Sequence, residues 1–303
     1  MEKKKKYQPA TDNIKAVNTI SLKQRMLQYK NHPSSFVLLC LVILCAVITV
    51  GVLLFLIVYI LVQGIPNLTP ELFSLEYTSD NASLMPALVN TVIMTLMSLI
   101  IAVPLGIFAA IYLVEYAKRG NKLVTAVRMT AETLSGIPSI VYGLFGMLFF
   151  VTTLGWGNSL IAGSCTLAIM ILPLIMRTTE EALKTVPDSF REGSFGLGAG
   201  KLRTVFRVIL PTAVPGILSG VILAIGRIVG ESAALIYTAG TIAQYPQNLT
   251  MSARTLSVHM YICTTEGLHT SQAYGTAVVL LILVVIINAL SSFAAKKLTQ
   301  KMG

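Results

Sequence analysis

Charge is what this sequence has least of. Asp, Glu, Lys and Arg make up 12% of its 303 residues, against about 25% in an ordinary soluble domain. A chain so poor in charge cannot present a hydrated surface on all sides, so lipid is the expected solvent. Cysteine is scarce as well. Cys40 and Cys45 lie in the first apolar run, Cys165 lies in a later one, and Cys263 stands alone in a loop. No Cys-x-x-Cys and no His/Cys cluster at metal-ligand spacing occurs, which argues against a disulfide framework and a metal centre. The thiols read as small buried hydrophobes. His259 and His269 share a loop with Cys263, but three scattered residues do not make a metal site. No nucleophile–base pair suggests an enzyme. Aromatic–basic pairs that would stack on a nucleic-acid strand are few. The net charge of +10 therefore does not point to nucleic acid, because nearly all the charges fall between apolar runs or in the tails.

What the sequence has in quantity is apolar length, with 54% hydrophobic residues. A helix needs about 20 apolar residues to cross the hydrocarbon core. Six runs qualify, at roughly 36–63, 84–114, 133–154, 158–177, 212–237 and 274–295. Backbone groups in lipid must be satisfied within the segment, so these runs are helices and the chain is an all-α polytopic membrane protein. The first run is too long for a signal-peptide core and reads as a retained span.

Lys and Arg counts set the orientation. The N-terminal tail, residues 1–35, has eight, and the segment 64–83 has none. Lys118, Arg119, Lys122 and Arg128 follow the second span, and the turn at Gly155-Trp156-Gly157 has none. The stretch 177–211 has six, 238–273 has only Arg254, and the C-terminal tail 296–303 has three. The alternation places both termini and two loops in the cytoplasm. The basic tail can lie on the anionic leaflet. Pro104, Pro138, Pro173, Pro211 and Pro215 interrupt or end spans. Such breaks suit a pore or a moving bundle, although one proline alone reads equally as packing irregularity.

The loop 178–211 is the most informative stretch. Pro187 and Asp188 end what precedes. Ser189 stands three residues before Glu192, the spacing of a capping box that would start a helix. Gly196, Gly198 and Gly200 supply a corner, and Lys201 to Leu210 is amphipathic before Pro211 enters the fifth span. Glu192-Gly193-Ser194, then Gly198, then nine residues, then Val208-Ile209-Leu210-Pro211 resembles the cytosolic signature of ABC importer permeases. That signature reads Glu-Ala-Ala, Gly and Ile-x-Leu-Pro at the same spacing. Gly193-Ser194 replaces the Ala pair and Val208 replaces Ile. The resemblance implies the type I importer permease fold. It also implies that this segment, around 189–200, is a coupling helix that docks on a separate ATPase. The glycine-rich run from Gly196 to Lys201 is not a P-loop: Phe195 and Leu202 stand where Gly and Ser/Thr are needed. ATP and Mg would therefore belong to the partner, with no cofactor on this chain.

Two further segments resemble the phosphate-importer branch, the PstA-type permeases. One runs from Glu132 through Gly136, Pro138, Tyr142 and Gly143 to Gly146, and the other from Arg227 through Gly230 and Glu231 to Ala233. The resemblance implies a bacterial inner-membrane subunit that forms half of the path for inorganic phosphate. Its implied partners are a homologous second permease, two ATPase subunits and an extracytoplasmic phosphate-binding protein. Another oxyanion, molybdate or sulfate, is the alternative substrate. An ATP-independent secondary transporter would be expected to show inverted repeats, and none is visible.

Arg227 and Glu231 stand out without the family. A charge at the middle of a membrane helix costs ~3 kcal/mol or more, and such residues face the bundle interior. Spaced i,i+4, they can neutralise each other, and a guanidinium fork matches an oxyanion. The expectation is that Arg227 meets the anion in transit while Glu231 holds the arginine. The alternative is a purely structural ion pair. Arg128 and Glu132 repeat the spacing near the cytosolic end of span three, where a structural or gating pair is expected. Ser135 and Ser139 flank Pro138 and could line the path or serve helix packing.

Overall fold

The structure is a computed structural model that describes residues 33–118, 120–267 and 269–302. The first 32 residues, which hold most of the basic tail, lie outside the described residues. Among the described residues every regular element is helical. The chain divides into two units, Met1–Tyr59 and Ile60–Gly303.

The first unit contributes helix α1 (Pro33–Gly64), which runs on into the second. Pro33 is the first described residue of this helix. Its 32 residues span about 48 Å at 1.5 Å per residue, more than the ~30 Å hydrocarbon core. Side chains from Ser34 to Tyr59 are exposed nearly all round the helix. A helix apolar on every face is stable only in an apolar surrounding.

The second unit starts with two short 3₁₀ turns, Ile65–Asn67 and Pro70–Phe73. Helix α2 (Met85–Ile111) then continues through a π turn, Tyr112–Tyr116. Next come α3 (Lys122–Ser135), α4 (Ser139–Gly146, extended by a π turn Met147–Thr153) and α5 (Leu160–Lys184). After α5 stand α6 (Asp188–Gly196), α7 (Lys201–Thr204), a π turn Val205–Ile209 and α8 (Leu210–Val229). The chain ends with α9 (Ala233–Thr238), α10 (Leu256–Thr265) and α11 (Thr270–Met302).

Among the described residues five helical stretches are long and apolar enough to cross a membrane, and α3 with α4, bent by 103° at their junction, have the composition of either a broken sixth span or a re-entrant loop. Six spans were expected; five stand as single stretches, the sixth depends on the bent α3–α4 pair, and the boundaries differ. The third span does not begin at 133: the chain turns at Gly136-Ile137-Pro138, and the apolar helix starts at Ser139. The fourth runs on to Lys184 instead of ending at 177, so the first residues of the expected loop 178–211 are helical. The fifth is one helical stretch from Lys201 to Val229, not 212–237. It starts early because the π turn carries Lys201–Thr204 into α8. It stops early because Gly230 caps it.

Helix α5 sits at the centre, with 67% of its most apolar window buried. It packs between α2 and α8, and Leu167, Met170, Ile171 and Ile175 fill the main core. Small residues let the backbones close up, as lipid-embedded packing requires. A Cβ on Gly106 of α2 would lie 2.7 Å from Ile175 Cγ2, and one on Gly220 of α8 would collide with Thr178. A second core gathers the Lys/Arg-rich end, the inner end by the positive-inside rule. Ile111, Leu113, Val124, Leu183, Val186, Val205, Ile209 and Ile217 meet there.

Candidate functional site

At the inner end, α6 projects between α5 and α7. Pro187 (φ −58°, ψ 141°) sets an extended entry, and the helix starts at Asp188. The expected capping box is not formed: no side chain caps this helix, and Ser189 lies within it. Gly198 adopts φ +81°, a left-handed conformation suited to glycine. There Gly198 N donates to Phe195 O (2.9 Å) and Ala199 N to Ser194 O (3.1 Å), satisfying terminal carbonyls. Ser194 Oγ lies 2.8 Å from Thr204 Oγ1 and fastens α6 to α7.

Ser189, Glu192, Gly193 and Gly198 are exposed, and a Cβ on Gly193 would meet nothing within 4 Å. Phe190, Phe195 and Leu197 leave apolar surface bare, and Leu197 is 91% exposed. Leu210 packs on the inner core. Pro211 follows the π turn, where local widening relieves the clash of the prolyl ring with the carbonyl four residues back.

The residue that holds α6 in place was not singled out from the sequence. Arg191 Nη2 donates to Glu115 Oε1 (2.7 Å) and to Leu183 O (3.1 Å). Its Nη1 donates to Val186 O (2.8 Å) and Asp188 Oδ1 (3.1 Å), and its Nε to Glu115 Oε1 (3.2 Å). The hydrogen bond to Glu115 leads the effects that raise the arginine's pKa above its ordinary value. Glu115 belongs to the π turn that ends α2. The available signal was an acid at the end of a span whose following segment is otherwise basic.

Between α3 and α5 the expected partner is replaced. Arg128 does not pair with Glu132. Its Nε lies 2.8 Å from Glu180 Oε1, outside hydrogen-bond alignment, and Lys184 Nζ approaches the same oxygen at 2.6 Å. Glu180 is buried, and a buried carboxylate demands partners. An exposed Glu132 does not compete. Glu132 instead borders a cavity of about 160 Å³ with Arg128, Arg177, Glu180, Glu181 and Lys184. Arg177 Nε donates to Glu181 Oε1 at 3.0 Å. Ser135 and Ser139 stand at the two sides of the α3–α4 bend, and Ser135 Oγ donates to Glu132 O (2.8 Å). Tyr142 Oη bridges the bend to Leu134 O (2.7 Å).

Arg227 and Glu231 do not form the expected i,i+4 pair, because α8 ends between them at Gly230. Glu231 turns into the next element: its Oε1 accepts from Ala234 N (3.1 Å), and its own carbonyl accepts from Ser257 Oγ (2.5 Å). Arg227 is half-buried and has no ion-pair partner among the described residues. Gly143 and Gly146 have a packing reason. A Cβ on Gly143 would come 2.8 Å from Ala234 Cα, and one on Gly146 would collide with Thr166 of α5. Helix α4 thus lies directly on α9 and α5.

At the opposite, outer end, His259 is fully buried. Its Nε2 lies 3.1 Å from Ala82 O, its Nδ1 3.4 Å from Arg254 Nη1, and Cys263 Sγ 3.6 Å from Nε2. Burial, then Arg254, push its pKa down to about 4, so the ring is neutral near pH 7.

A bundle of helices that cross the membrane, broken at glycines and prolines and carrying an exposed inner elbow, defines a multi-pass permease of the plasma membrane. Residues 102–303 match the family described as binding-protein-dependent transport system inner membrane component, and the chain belongs to that family. It is 34% identical to a probable ABC transporter permease protein, YqgI, of Bacillus subtilis strain 168, over 86% of this chain and 94% of that one. It is 35% identical to the phosphate transport system permease protein PstA of Yersinia pestis, over 78% and 81%. It is 36% identical to PstA 1 of Mycobacterium tuberculosis strain H37Rv, over 67% and 66%. These matches make the chain a PstA-type permease. Among solved structures, the fold is shared with a bacterial alginate ABC transporter (TM-score 0.66, 14% identity, 89% of this chain and 98% of that one). The MetNI methionine ABC transporter also matches (TM-score 0.56, 22% identity, 71% and 94%).

Proposed function

We propose that this chain is the non-catalytic membrane subunit of an ATP-driven phosphate importer and forms half of the translocation path. A homologous permease supplies the other half, two ATPase subunits bind ATP and Mg, and an external binding protein delivers phosphate. The observation that carries this reading is α6. A nine-residue helix that leaves Phe190, Phe195 and Leu197 uncovered suits a docking element better than a surface loop. Closure of the ATPases would press on Ser189, Glu192, Gly193, Ser194 and Gly198, and Leu210 and Pro211 would pass the motion into α8.

The phosphate assignment rests on the named relatives and on Arg227. A half-buried guanidinium without a carboxylate partner keeps its donors free for a passing oxyanion. Glu231 drops out as its holder and serves the α8–α9 junction. Ser135 and Ser139 at the α3–α4 bend remain candidates for the path, and the charged cavity by Arg128 and Glu132 remains a candidate gate.

The test uses the assembled transporter in proteoliposomes with its binding protein. Leu197→Asp is expected to release the ATPase in pull-down. Arg227→Gln is expected to keep assembly and abolish ATP-driven uptake of labelled phosphate. Retained ATPase with Leu197→Asp removes the docking role, and normal uptake with Arg227→Gln removes the arginine from the path. Uptake of molybdate or sulfate in preference to phosphate would move the subunit to the other oxyanion branch.

A further inference from the structure

Helix α2 is fastened by side chains at both of its ends. At the inner end Glu115 holds Arg191 of α6 through Nη2 (2.7 Å) and Nε (3.2 Å). At the outer end the buried Asn90 donates from Nδ2 to Gln244 O and to Arg254 O, both at 3.1 Å. The neighbouring Thr91 Oγ1 accepts from Leu256 N at 2.9 Å. The segment between α9 and α10, which carries Gln244 and Arg254, is therefore hung on α2. From Asn90 to Glu115 the helical path is about 37 Å at 1.5 Å per residue. Along it α2 lies against α5, with Ser98 Oγ donating to Ser164 O (3.1 Å). Arg191 also binds Leu183 O and Val186 O at and beyond the end of α5.

We propose that α2 is a second transmission line, which carries displacement of α6 to the outer 239–255 segment through the Arg191–Glu115 pair. The inference rests on the reading of α6 as the ATPase dock. The covalent route from α6 passes through Gly196, Gly198 and Gly200, where added side chains would meet nothing within 4 Å. Such a corner is a poor strut. The Arg191 fork is multidentate and ties α6 to α2 and α5 together. Glu115 and Arg191 act as positioning residues, since neither needs to meet the solute.

The experiment uses the complete transporter with the four native cysteines replaced by alanine and Tyr245→Cys as an outer reporter. Tyr245 is exposed and adjoins Gln244. The reporter's labelling rate by an impermeant maleimide is compared without nucleotide and with ATP-vanadate. With Glu115 and Arg191 intact the rate should switch between the two conditions. Glu115→Gln and Arg191→Ala should shrink that switch, and lower solute moved per ATP hydrolysed, by about tenfold, while the ATPase still co-purifies. Glu115→Cys/Arg191→Cys in a background that keeps Tyr245, bridged by a bifunctional thiosulfonate of matching length, should regain the solute moved per ATP hydrolysed, which misfolded protein would not do. A full switch in both single variants overturns the proposal, as does failure of the bridge to restore coupled transport. Loss of ATPase binding in these variants also overturns it, since Arg191 would then be part of the dock. If the ATPase fails to bind the transporter with Glu115 and Arg191 intact, it is the docking reading that falls. The labelling readout needs no transported solute, so it is independent of the phosphate assignment.

Discussion

The two ends of the second unit are held by different chemistry. The inner end is tied by ions: Arg191 with Glu115 and Asp188, and Arg128 and Lys184 with Glu180. The outer end has no ion pair among the described residues and is tied by hydrogen bonds, mostly to backbone: Asn90 on two carbonyls, Thr91 on Leu256 N, His259 near Ala82 O, and the charged Arg254 on Thr241 O. Arg128 and Lys184 are 40% and 54% exposed, so water can take over as they move on Glu180, whereas the Arg191–Glu115 pair, 16% and 8% exposed, is nearly dry and holds its geometry. A buried amide has no such substitute, so losing its partner costs the full desolvation penalty. The inner end thus combines a wet cluster around Glu180 that can give with a dry Arg191–Glu115 tie that keeps α6 on α2. The outer end is built to stay registered on α2 until α2 itself moves.

The largest way to break this contrast is at the outer end. Asn90→Leu removes both Nδ2 donors and leaves Gln244 O and Arg254 O without them. The expected cost is about 3 kcal/mol, read as a lower melting temperature of the purified subunit and faster labelling of an outer cysteine. Unchanged stability would mean that the outer segment is held by its apolar contacts alone.

Part of this plan was legible in the sequence, and the rest failed for identifiable reasons. The apolar spans and the short helix α6 between two of them were readable because apolar length, Lys/Arg placement and the spacing from Glu192 to Pro211 are local in the chain. The Arg191–Glu115 pair was not, because its partners are far apart in sequence and meet only once α2, α5 and α6 are packed. Two expected pairs, Arg128–Glu132 and Arg227–Glu231, assumed an unbroken helix and ignored neighbours. Gly230 ends α8 before Glu231, and Glu180 on α5 draws Arg128 across. Gly230 was available as a warning, since glycine is the common helix stop. Nothing local in the sequence announced the burial of Glu180.

A smaller effect is expected at the inner ion cluster. Glu180→Gln leaves Arg128 and Lys184 without their shared carboxylate. Arg128 is 40% exposed, so water recovers much of the loss. About 1–2 kcal/mol is expected, less than a fully buried pair would lose. The loss should shrink further as salt rises, whereas the Asn90→Leu loss should not. Equal salt dependence in the two variants would erase the distinction between the ends.

The finest test uses acid. His259 has a folded pKa of about 4, below the ~6.5 of an unfolded histidine. Between these values the unfolded chain binds the extra proton, so stability must fall as pH falls. The contribution is intact above about pH 6.5 and is lost progressively toward pH 4. From pH 6.5 to 5.5 it amounts to about 1 kcal/mol. Protonation would place a cation beside Arg254 Nη1, now 3.4 Å from Nδ1, and would loosen the outer end first. Helix α6 has no histidine, so its ion pairs should be indifferent over this range. The melting temperature should therefore drop by a few degrees over that pH unit, and His259→Gln should flatten the dependence. A slope that survives the substitution would assign the acid sensitivity to another group and leave the outer end as insensitive to protons as the inner one.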